Sequence, residues 1–215
     1  MTPAQIETSA RRRYNSESST FWSQDEVFKT IWEAECILAR EGLVIESTST
    51  TTTVAGTQSY AFPTDASAMK RITYNGNKLK PINMREDDAL TLNNQATTAQ
   101  GTPTYYFEWN RTVYLRPIPD SALTLKYWFY AEPTLLTTAS TTLDVPSDFH
   151  QYLIDYVCSI MAAKDENLRM ASWYEAKWLD GVMKAKSWSR RRRSTDQFGN
   201  VQDEAALAET ILGSV

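Results

Sequence analysis

The longest regular apolar pattern in the chain runs from Ser147 to Asn167. Its apolar side chains recur at the three- and four-residue spacing of one α-helical face. They are Phe149, Tyr152, Leu153, Tyr156, Val157, Ile160 and Met161. Pro146 ends the preceding extended segment, and Ser147 is a suitable N-cap for a helix. The pattern predicts a long helix whose apolar face is covered by other helices.

Two further helices are predicted near the N-terminus. The first begins at the N-cap Thr2 and ends at about Tyr14. The second is opened by Ser23 and Glu26, which match the S-x-x-E capping box, and Gly42 is suited to the position after its end. Its apolar positions include Val27, Phe28, Ile31, Leu38 and Ala39. We expect this face to pack against the apolar face of the long helix.

The chain from 47 to 131 has the alternating pattern of β-strands. Its first segment, Ser47 to Val54, is almost entirely Ser and Thr, which fits either a strand or a low-complexity linker. A strand is favoured because β-branched Thr prefers extended backbone. Asn75-Gly76 is a strong hairpin signal, and residues 123 to 130 alternate most clearly. Hairpin-sized connections predict about six short, antiparallel strands, with one or two helical turns from Met84 to Leu90.

After Asn167 the helical period resumes and continues to about Lys186, which predicts an antiparallel helical hairpin with the long helix. The inner positions of this last helix are Met170, Trp173, Tyr174, Trp178, Val182 and Met183. From Ser187 the period fails, and the chain ends with a short amphipathic segment that is too short to be a stable helix alone. Residues 187–215 are therefore predicted to form an arm that needs a partner.

Together these patterns predict an α+β fold. A helical bundle comprises residues 1–46 and 132–186, an antiparallel β-domain of residues 47–131 is inserted into it, and residues 187–215 form an extended C-terminal arm. The predicted bundle core contains Phe28, Ile31, Leu38, Leu153, Tyr156, Val157, Ile160 and Trp178. The residues of the arm that could dock on a partner are Arg190, Arg191, Arg192, Arg193, Phe198, Leu207, Ile211 and Leu212.

Composition adds few constraints. The 215 residues are 42% hydrophobic and 22% charged, as in an ordinary globular protein, and the net charge of −4 does not indicate a polyanionic partner. The 7 Trp and 11 Tyr fit either an interface-rich protein or an aromatic β-core. No apolar run approaches 18 residues, so no membrane partner is expected, and the N-terminus lacks a signal-peptide pattern. Cys36 and Cys158 are expected to be buried thiols, with a disulfide as the alternative.

No catalytic constellation can be assembled from the sequence. A catalytic triad could use the single histidine, His150, but the sequence has no glycine pattern of a nucleophile elbow. His150 is therefore predicted to be a cap-region or surface residue. The glycine-rich phosphate-binding motifs are missing, and one histidine with two cysteines does not make a zinc site. The acidic residues at 86–88 and at 165–166 are predicted to lie on the solvent-exposed surface. The sequence therefore predicts no catalytic, cofactor-binding or metal-binding residues and no cofactor.

The run from Arg190 to Arg193 is the one concentration of charge. Arginine can contact DNA phosphates non-specifically or dock on an acidic protein surface, and a solvated basic linker is the third interpretation. Four acids follow within the arm: Asp196, Asp203, Glu204 and Glu209. They cancel the charge of the arginines over the arm as a whole, which weakens the DNA interpretation.

Several short sequence motifs occur in the same order as in a known protein family, which the chain therefore resembles. The motifs are FWS-x-x-E, AGTQSYAFPTD, an Asn-Gly hairpin, GTPTYY, LRPIPD, LKYWFYAEP and DVPSDFHQYLIDYVCSIMAAKDEN. Over residues 20 to 185 they resemble the head-to-tail adaptor, or connector, proteins of tailed bacteriophages, particularly the short-tailed ones. The resemblance lies in ordered motifs and not in catalytic ones.

The resemblance implies a structural, non-enzymatic protein. Such adaptors form a homo-oligomeric ring, typically of twelve copies, beneath the portal protein in the neck of the virion, and they assemble in the host cytoplasm. The ring extends the channel through which double-stranded DNA passes and offers a platform for tail or nozzle proteins, while a C-terminal arm docks on the portal. Two alternatives stay open, another neck or tail-completion subunit and a virion-associated glycan hydrolase.

Overall fold

The computed structural model describes residues 1–17, 21–92, 99–139 and 141–197. It confirms the α+β fold. The chain divides into two compact units: a helical unit of Met1–Ile45 with the chain from Pro133 onward, and a β-unit of Glu46–Glu132. The helices are α1 (Pro3–Arg13), α2 (Gln24–Gly42), α3 (Met84–Leu92), α4 (His150–Lys164) and α5 (Leu168–Gln197). The strands are β1 (Glu46–Thr52), β2 (Ser59–Ala61), β3 (Ala66–Tyr74), β4 (Asn77–Lys78), β5 (Lys80–Pro81), β6 (Gln100–Gly101), β7 (Tyr105–Trp109), β8 (Thr112–Arg116), β9 (Ile118–Pro119) and β10 (Thr124–Ala131).

The first two helices begin at the predicted caps. Thr2 and Gln5 form a reciprocal capping box at α1, and the Ser23 hydroxyl accepts from the Glu26 N–H at α2. The predicted end of α2 is wrong by one residue, because Leu43 and not Gly42 takes the left-handed conformation, with φ of 50°. Gly42 lies inside the helix instead. A Cβ there would stand 2.9 Å from the Cβ of Ala185, so the glycine allows α2 and α5 to approach closely.

Helix α4 is the centre of the helical unit and packs against α1, α2 and α5. A 3₁₀ turn of Ser147–Phe149 precedes it, and the structure shows no side-chain cap there, so the predicted Ser147 N-cap is wrong. Its buried residues include Leu153, Ile154, Val157, Cys158, Met161 and Ala162. Because α1 covers the side of α4 that carries Cys158, the buried face is rotated from the predicted one, and Ile160 is 40% exposed.

The last helix continues well beyond its predicted end at Lys186. Ala185 is fully buried, Ser189 is 3% exposed, and the Trp188 ring meets the Phe149 ring edge-to-face at 5.7 Å. No glycine or proline interrupts the sequence from 187 to 197, and the four arginines in it are good helix formers. The first part of the predicted arm is therefore helical. Residues 198–215 lie outside the described residues.

The β-unit is built from two four-stranded sheets, in the orders β1-β10-β3-β4 and β2-β8-β7-β5, and a two-stranded pair, β6-β9. The Ser- and Thr-rich segment is a strand, as predicted, and Asn75-Gly76 turns the chain with positive φ at both residues. Leu125, Tyr127 and Phe129 of β10 are buried. The prediction of antiparallel pairing is wrong for two short contacts, β5 with β7 and β6 with β9, which are parallel because longer segments connect them.

Candidate interaction surfaces

The arginine run lies on the last turns of α5. Arg190, Arg191 and Arg192 are exposed, and Arg193 belongs to the helix. The Arg192 guanidinium lies 4.5 Å from the centre of the Trp188 ring, and Trp188 packs on the bundle core. Because Trp188 packs on the core, the helix backbone that carries the arginine run has a fixed position on the bundle. The other predicted docking residues, Phe198, Leu207, Ile211 and Leu212, lie outside the described residues.

The predicted bundle core divides into buried and exposed members. Phe28, Ile31, Leu38, Leu153, Val157 and Trp178 are at most 5% exposed. Tyr156 is half-buried, with its ring centre 4.9 Å from that of Trp178. Ile160 is the exception described above, because the buried side of α4 is rotated. The part of the core that lies along α5 is formed by Tyr174, Trp178, Val182 and Ala185.

Large apolar side chains are exposed along α5. Leu168 is 72% exposed, Leu179 52% and Met183 63%, and Trp173 is 51% exposed with the Lys177 ammonium 3.4 Å from its ring centre. The predicted inner positions of Trp173 and Met183 are wrong. At 100° per residue, Leu179 and Met183 lie on the side of α5 opposite Tyr174, and this spacing could have revealed them in the sequence. An exposed apolar stripe of this kind is typical of surfaces that bind another molecule, which makes it a candidate interaction surface.

The β-unit exposes a tryptophan at a rigid turn. Trp109, 59% exposed, is the last residue of β7, and Asn110 and Arg111 turn the chain with positive φ. The Arg111 guanidinium donates to the carbonyl oxygens of Pro63, Thr64 and Ala66, which holds the turn in place. Tryptophan is enriched among binding hot spots, so an exposed tryptophan beside a held turn is a candidate contact residue.

Buried titratable groups in the helical unit have structural partners. Glu35 is fully buried; its Oε1 accepts from the N–H groups of Asp144 and Val145, and its Oε2 has no partner. Burial raises the pKa of Glu35 to about 7. Of the two predicted places for His150, the cap region is correct and the surface is wrong: it is the first residue of α4 and is 6% exposed, and its Nε2 lies 2.8 Å from the Val145 carbonyl oxygen. Burial lowers the pKa of His150. These groups fasten the segment before α4 to the bundle.

The acidic residues and cysteines that the sequence singled out have structural surroundings in the described part of the chain. Within the described residues no group of three His, Cys, Asp or Glu side chains could hold a metal ion, and no helix is long and apolar enough to cross a membrane. Asp87, from one predicted acidic run, is 7% exposed and forms a bidentate ion pair with Arg116, at 2.7 and 2.9 Å. Cys36 and Cys158 are buried thiols and not a disulfide.

An open cavity of about 640 Å³ lies where α1 ends and α4 turns into α5. It is lined by Arg13, Tyr14, Asn15, Ser16, Trp22, Asp165, Asn167 and Met170. Burial and the neighbouring Asp165 raise the pKa of Tyr14 to about 12. Arg13 is engaged by the buried Asp155 at 2.6 Å. Two polar groups of this cavity are thus engaged, Arg13 by Asp155 and Tyr14 by Asp165.

Comparison with known proteins identifies the family. A family model described as SU10 adaptor protein matches residues 1–201 of the chain. A search of curated proteins found no match. The matched region includes every helix and strand of the described residues, and it agrees with the resemblance that the ordered sequence motifs carry. The chain therefore belongs to the SU10 adaptor protein family, a family of phage head-to-tail adaptors.

Proposed function

We propose that this chain is one subunit of a ring, typically of twelve copies, that joins the portal to the tail in the neck of a phage virion. Family membership makes it a phage adaptor, a structural component of the virion that interacts with other capsid or tail proteins. The proposal adds the ring, the portal as the upper partner, tail or nozzle proteins as the lower partners, and a lumen through which duplex DNA passes.

The observation that carries the proposal is the family match together with the exposed apolar side chains of α5. In a ring, each copy contacts the next through two different surfaces, and the contacts close on themselves. Leu168, Leu179 and Met183 are the exposed aliphatic side chains of α5 over its described residues. Their burial between neighbouring copies would contribute the apolar area that an assembled ring needs.

The C-terminal segment is proposed to dock on the portal. Helix α5 packs on the bundle as far as Ser189, and the exposed residues Arg190, Arg191 and Arg192 follow in its next turn. The sequence of residues 198–215 contains the five apolar positions of the amphipathic segment, Ala205, Leu207, Ala208, Ile211 and Leu212. Arginines that bind an acidic surface, followed by apolar residues that bind a groove, would give the segment both orientation and affinity.

The test measures binding of the purified chain to its portal protein by calorimetry. Two variants separate the contributions: a chain that ends at Gln197, and a full-length chain with Arg190 to Arg193 replaced by Ala. Neither change removes Trp188, so the bundle keeps its packing. We expect each variant to bind the portal at least tenfold more weakly. If both bind as tightly as the unchanged protein, the docking assignment is wrong, although the ring could still form through α5.

An enzymatic function is not favoured by any observation on the described residues. Glu35 has a pKa raised to about 7, which would suit a general acid. It is fully buried, however, and cannot contact a polymeric substrate such as a glycan. Asp87 is held in an ion pair within the β-unit. A glycosidase needs two carboxyl groups that face each other across an accessible cleft. Peptidoglycan clearance by the purified chain, lost on substitution of a single carboxylate, would support the alternative.

A further inference from the structure

Helix α5 exposes a short apolar patch near its middle. Leu179 is 52% exposed and Met183 is 63% exposed, and Ala176 is exposed as well. Their spacing of i, i+3 and i+7 places the three side chains on one side of the helix, opposite the buried Tyr174. These three residues are called the α5 patch below. Covering them removes apolar surface from water, so an apolar segment that can reach the patch is stabilised there.

The sequence that follows α5 contains an apolar segment of matching kind. Residues 204–215, called the terminal segment below, have apolar positions that share one helical face, at a spacing of i, i+3, i+4 and i+7. They are Ala208, Ile211, Leu212 and Val215. A segment of this length is too short to be a stable helix alone, so an apolar surface on which it can pack would stabilise it.

The length of chain between the patch and the terminal segment fits a return along α5. Gly199 and Asn200 are residues that favour a reversal of the chain directly after the helix. An extended residue spans at most about 3.3 Å, so the residues from 198 to 203 reach back by at most about 20 Å. A helix rises about 1.5 Å per residue, which brings residue 203 level with about Lys184. A returning terminal segment would therefore lie alongside the α5 patch.

The charges of the two stretches are complementary in the same orientation. From Gly181 to Arg193, α5 carries six cations and no acid. Asp180 and Glu41 pair with Lys184 and Lys186, at 2.6 and 2.5 Å, and lower the net charge of this stretch to +4. Residues 201–215 contain no cation and three acids, which are Asp203, Glu204 and Glu209. A chain that returns along α5 places the first two acids nearest the basic end of the helix and the apolar positions nearest the patch.

We propose that, in a subunit that is not assembled, the terminal segment of the same chain covers the α5 patch. A weak contact is sufficient because the two parts are tethered. A short flexible linker gives an effective concentration on the order of 1 mM, so a segment whose Kd as a free peptide is about 0.1 mM covers the patch in roughly nine subunits of ten. The consequence rests on the proposed function: the portal and the patch compete for one segment, and portal binding uncovers the patch for a neighbouring copy.

The first test detects this contact in the full-length chain by NMR of the methionine methyl groups. Cys36 and Cys158 are buried thiols, so a nitroxide spin label can be attached selectively after Ser214→Cys. The label broadens the signals of methyl groups close to it. We expect the Met183 signal to be about fivefold weaker than after chemical reduction of the label, in line with the expected occupancy of the patch.

Two controls decide whether the contact is specific and which copy supplies it. The labelled chain with Ile211→Asp and Leu212→Asp should regain the full Met183 signal; equal broadening with and without these changes, or no broadening in either chain, would overturn the proposal. The second control mixes a spin-labelled chain with an isotope-labelled chain that has no spin label, at about 50 μM, roughly twentyfold below the effective concentration within one chain. The Met183 signal should stay unchanged in the mixture. Broadening there as strong as within one chain would assign the segment to a second copy and would contradict the proposal.

The second test measures the competition with the portal. A dye-labelled full-length chain with Leu179→Gln and Met183→Gln is titrated with portal protein in excess, so that neighbouring sites on each portal stay empty. If the patch holds the segment in roughly nine free subunits of ten, losing the patch should tighten portal binding about tenfold. The matched control Leu168→Gln, on the same helix outside the patch, should keep the affinity of the unchanged chain. An unchanged affinity in the patch variant would overturn the competition. Contact in the NMR test without any portal binding would instead refute the portal docking and leave the contact standing.

Discussion

Replacing Glu35 by Gln should remove a pH dependence from the stability of the helical unit. Glu35 is fully buried, and only its Oε1 has hydrogen-bond partners, the N–H groups of Asp144 and Val145. Burial raises the pKa of the folded-state carboxyl from 4.5 to about 7. The folded protein therefore holds a proton that the unfolded chain has released, and stability falls as pH rises from about 4.5 to 7.

The size of the effect follows from the two pKa values. Each tenfold change in proton affinity is worth about 1.4 kcal/mol, so the difference between 4.5 and about 7 corresponds to roughly 3 kcal/mol of lost stability above pH 7. Gln keeps the acceptor oxygen that Asp144 and Val145 need, but it has no proton to lose. Relative to the unchanged protein, Glu35→Gln should gain about 2–3 kcal/mol of unfolding free energy between pH 5 and pH 8.

The assay is urea unfolding followed by tryptophan fluorescence at pH 5, 6, 7 and 8. The matched control is Glu33→Gln, which lies on the same helix but is half-exposed. The difference in unfolding free energy between the control and the unchanged protein should stay within about 0.5 kcal/mol over this range. A Glu35→Gln difference that is equally constant would refute the reasoning, because it would mean that the buried carboxyl does not carry the extra proton.

Three other substitutions test the packing and the assembly surface. Gly181→Ala should destabilise the protein by about 2 kcal/mol, because the new Cβ would lie 2.7 Å from the Cβ of Tyr152 and nearer still to its ring. This clash should outweigh the higher helix propensity of Ala. The control Ser172→Ala, on the exposed side of the same helix, should leave the unfolding free energy unchanged in the same urea assay. Arg13→Ala should cost about 2–3 kcal/mol of unfolding free energy, because it leaves Asp155, with a 3% exposed side chain, without its cation. Its control is Arg12→Ala, which breaks only the exposed pair with Glu17 and should cost less than 0.5 kcal/mol. The double variant Leu179→Glu with Met183→Glu should keep an unfolding free energy within about 1 kcal/mol of that of the unchanged protein. It should nevertheless fail to form rings on the portal in negative-stain images. Rings of normal appearance would show that these side chains are not in the contact between subunits.

Local rules predicted the elements whose causes are local. The caps at Thr2 and Ser23, the turn at Asn75-Gly76 and the alternation of β10 follow from neighbouring residues, and the structure confirms them. The Ser- and Thr-rich strand β1 was also predictable, because β-branched side chains favour extended backbone wherever a partner strand exists.

Tertiary contacts decided the features that were predicted wrongly. The residue after α2 could not be identified from glycine preference, because Gly42 is needed inside the helix for its approach to Ala185. The exposure of Ile160 depends on α1 covering a different side of α4, which apolar spacing along one helix does not reveal. The continuation of α5 past Lys186 depends on the contact between Trp188 and Phe149, residues far apart in the sequence.

The candidate surfaces were predictable to different degrees. The arginine run is visible in the sequence, although its helical presentation is not. Trp109 is likewise visible in the sequence, but its 59% exposure at the turn after β7 requires the structure to be seen.

The most direct test of the adaptor role is electron cryo-microscopy of the neck of the intact virion, reconstructed without imposed symmetry. The account predicts density for this fold in a closed ring between portal and tail, with α5 of each copy in contact with its neighbour and its C-terminal end directed to the portal. Density for the chain at any other place in the particle, or as isolated copies that do not close into a ring, would contradict it.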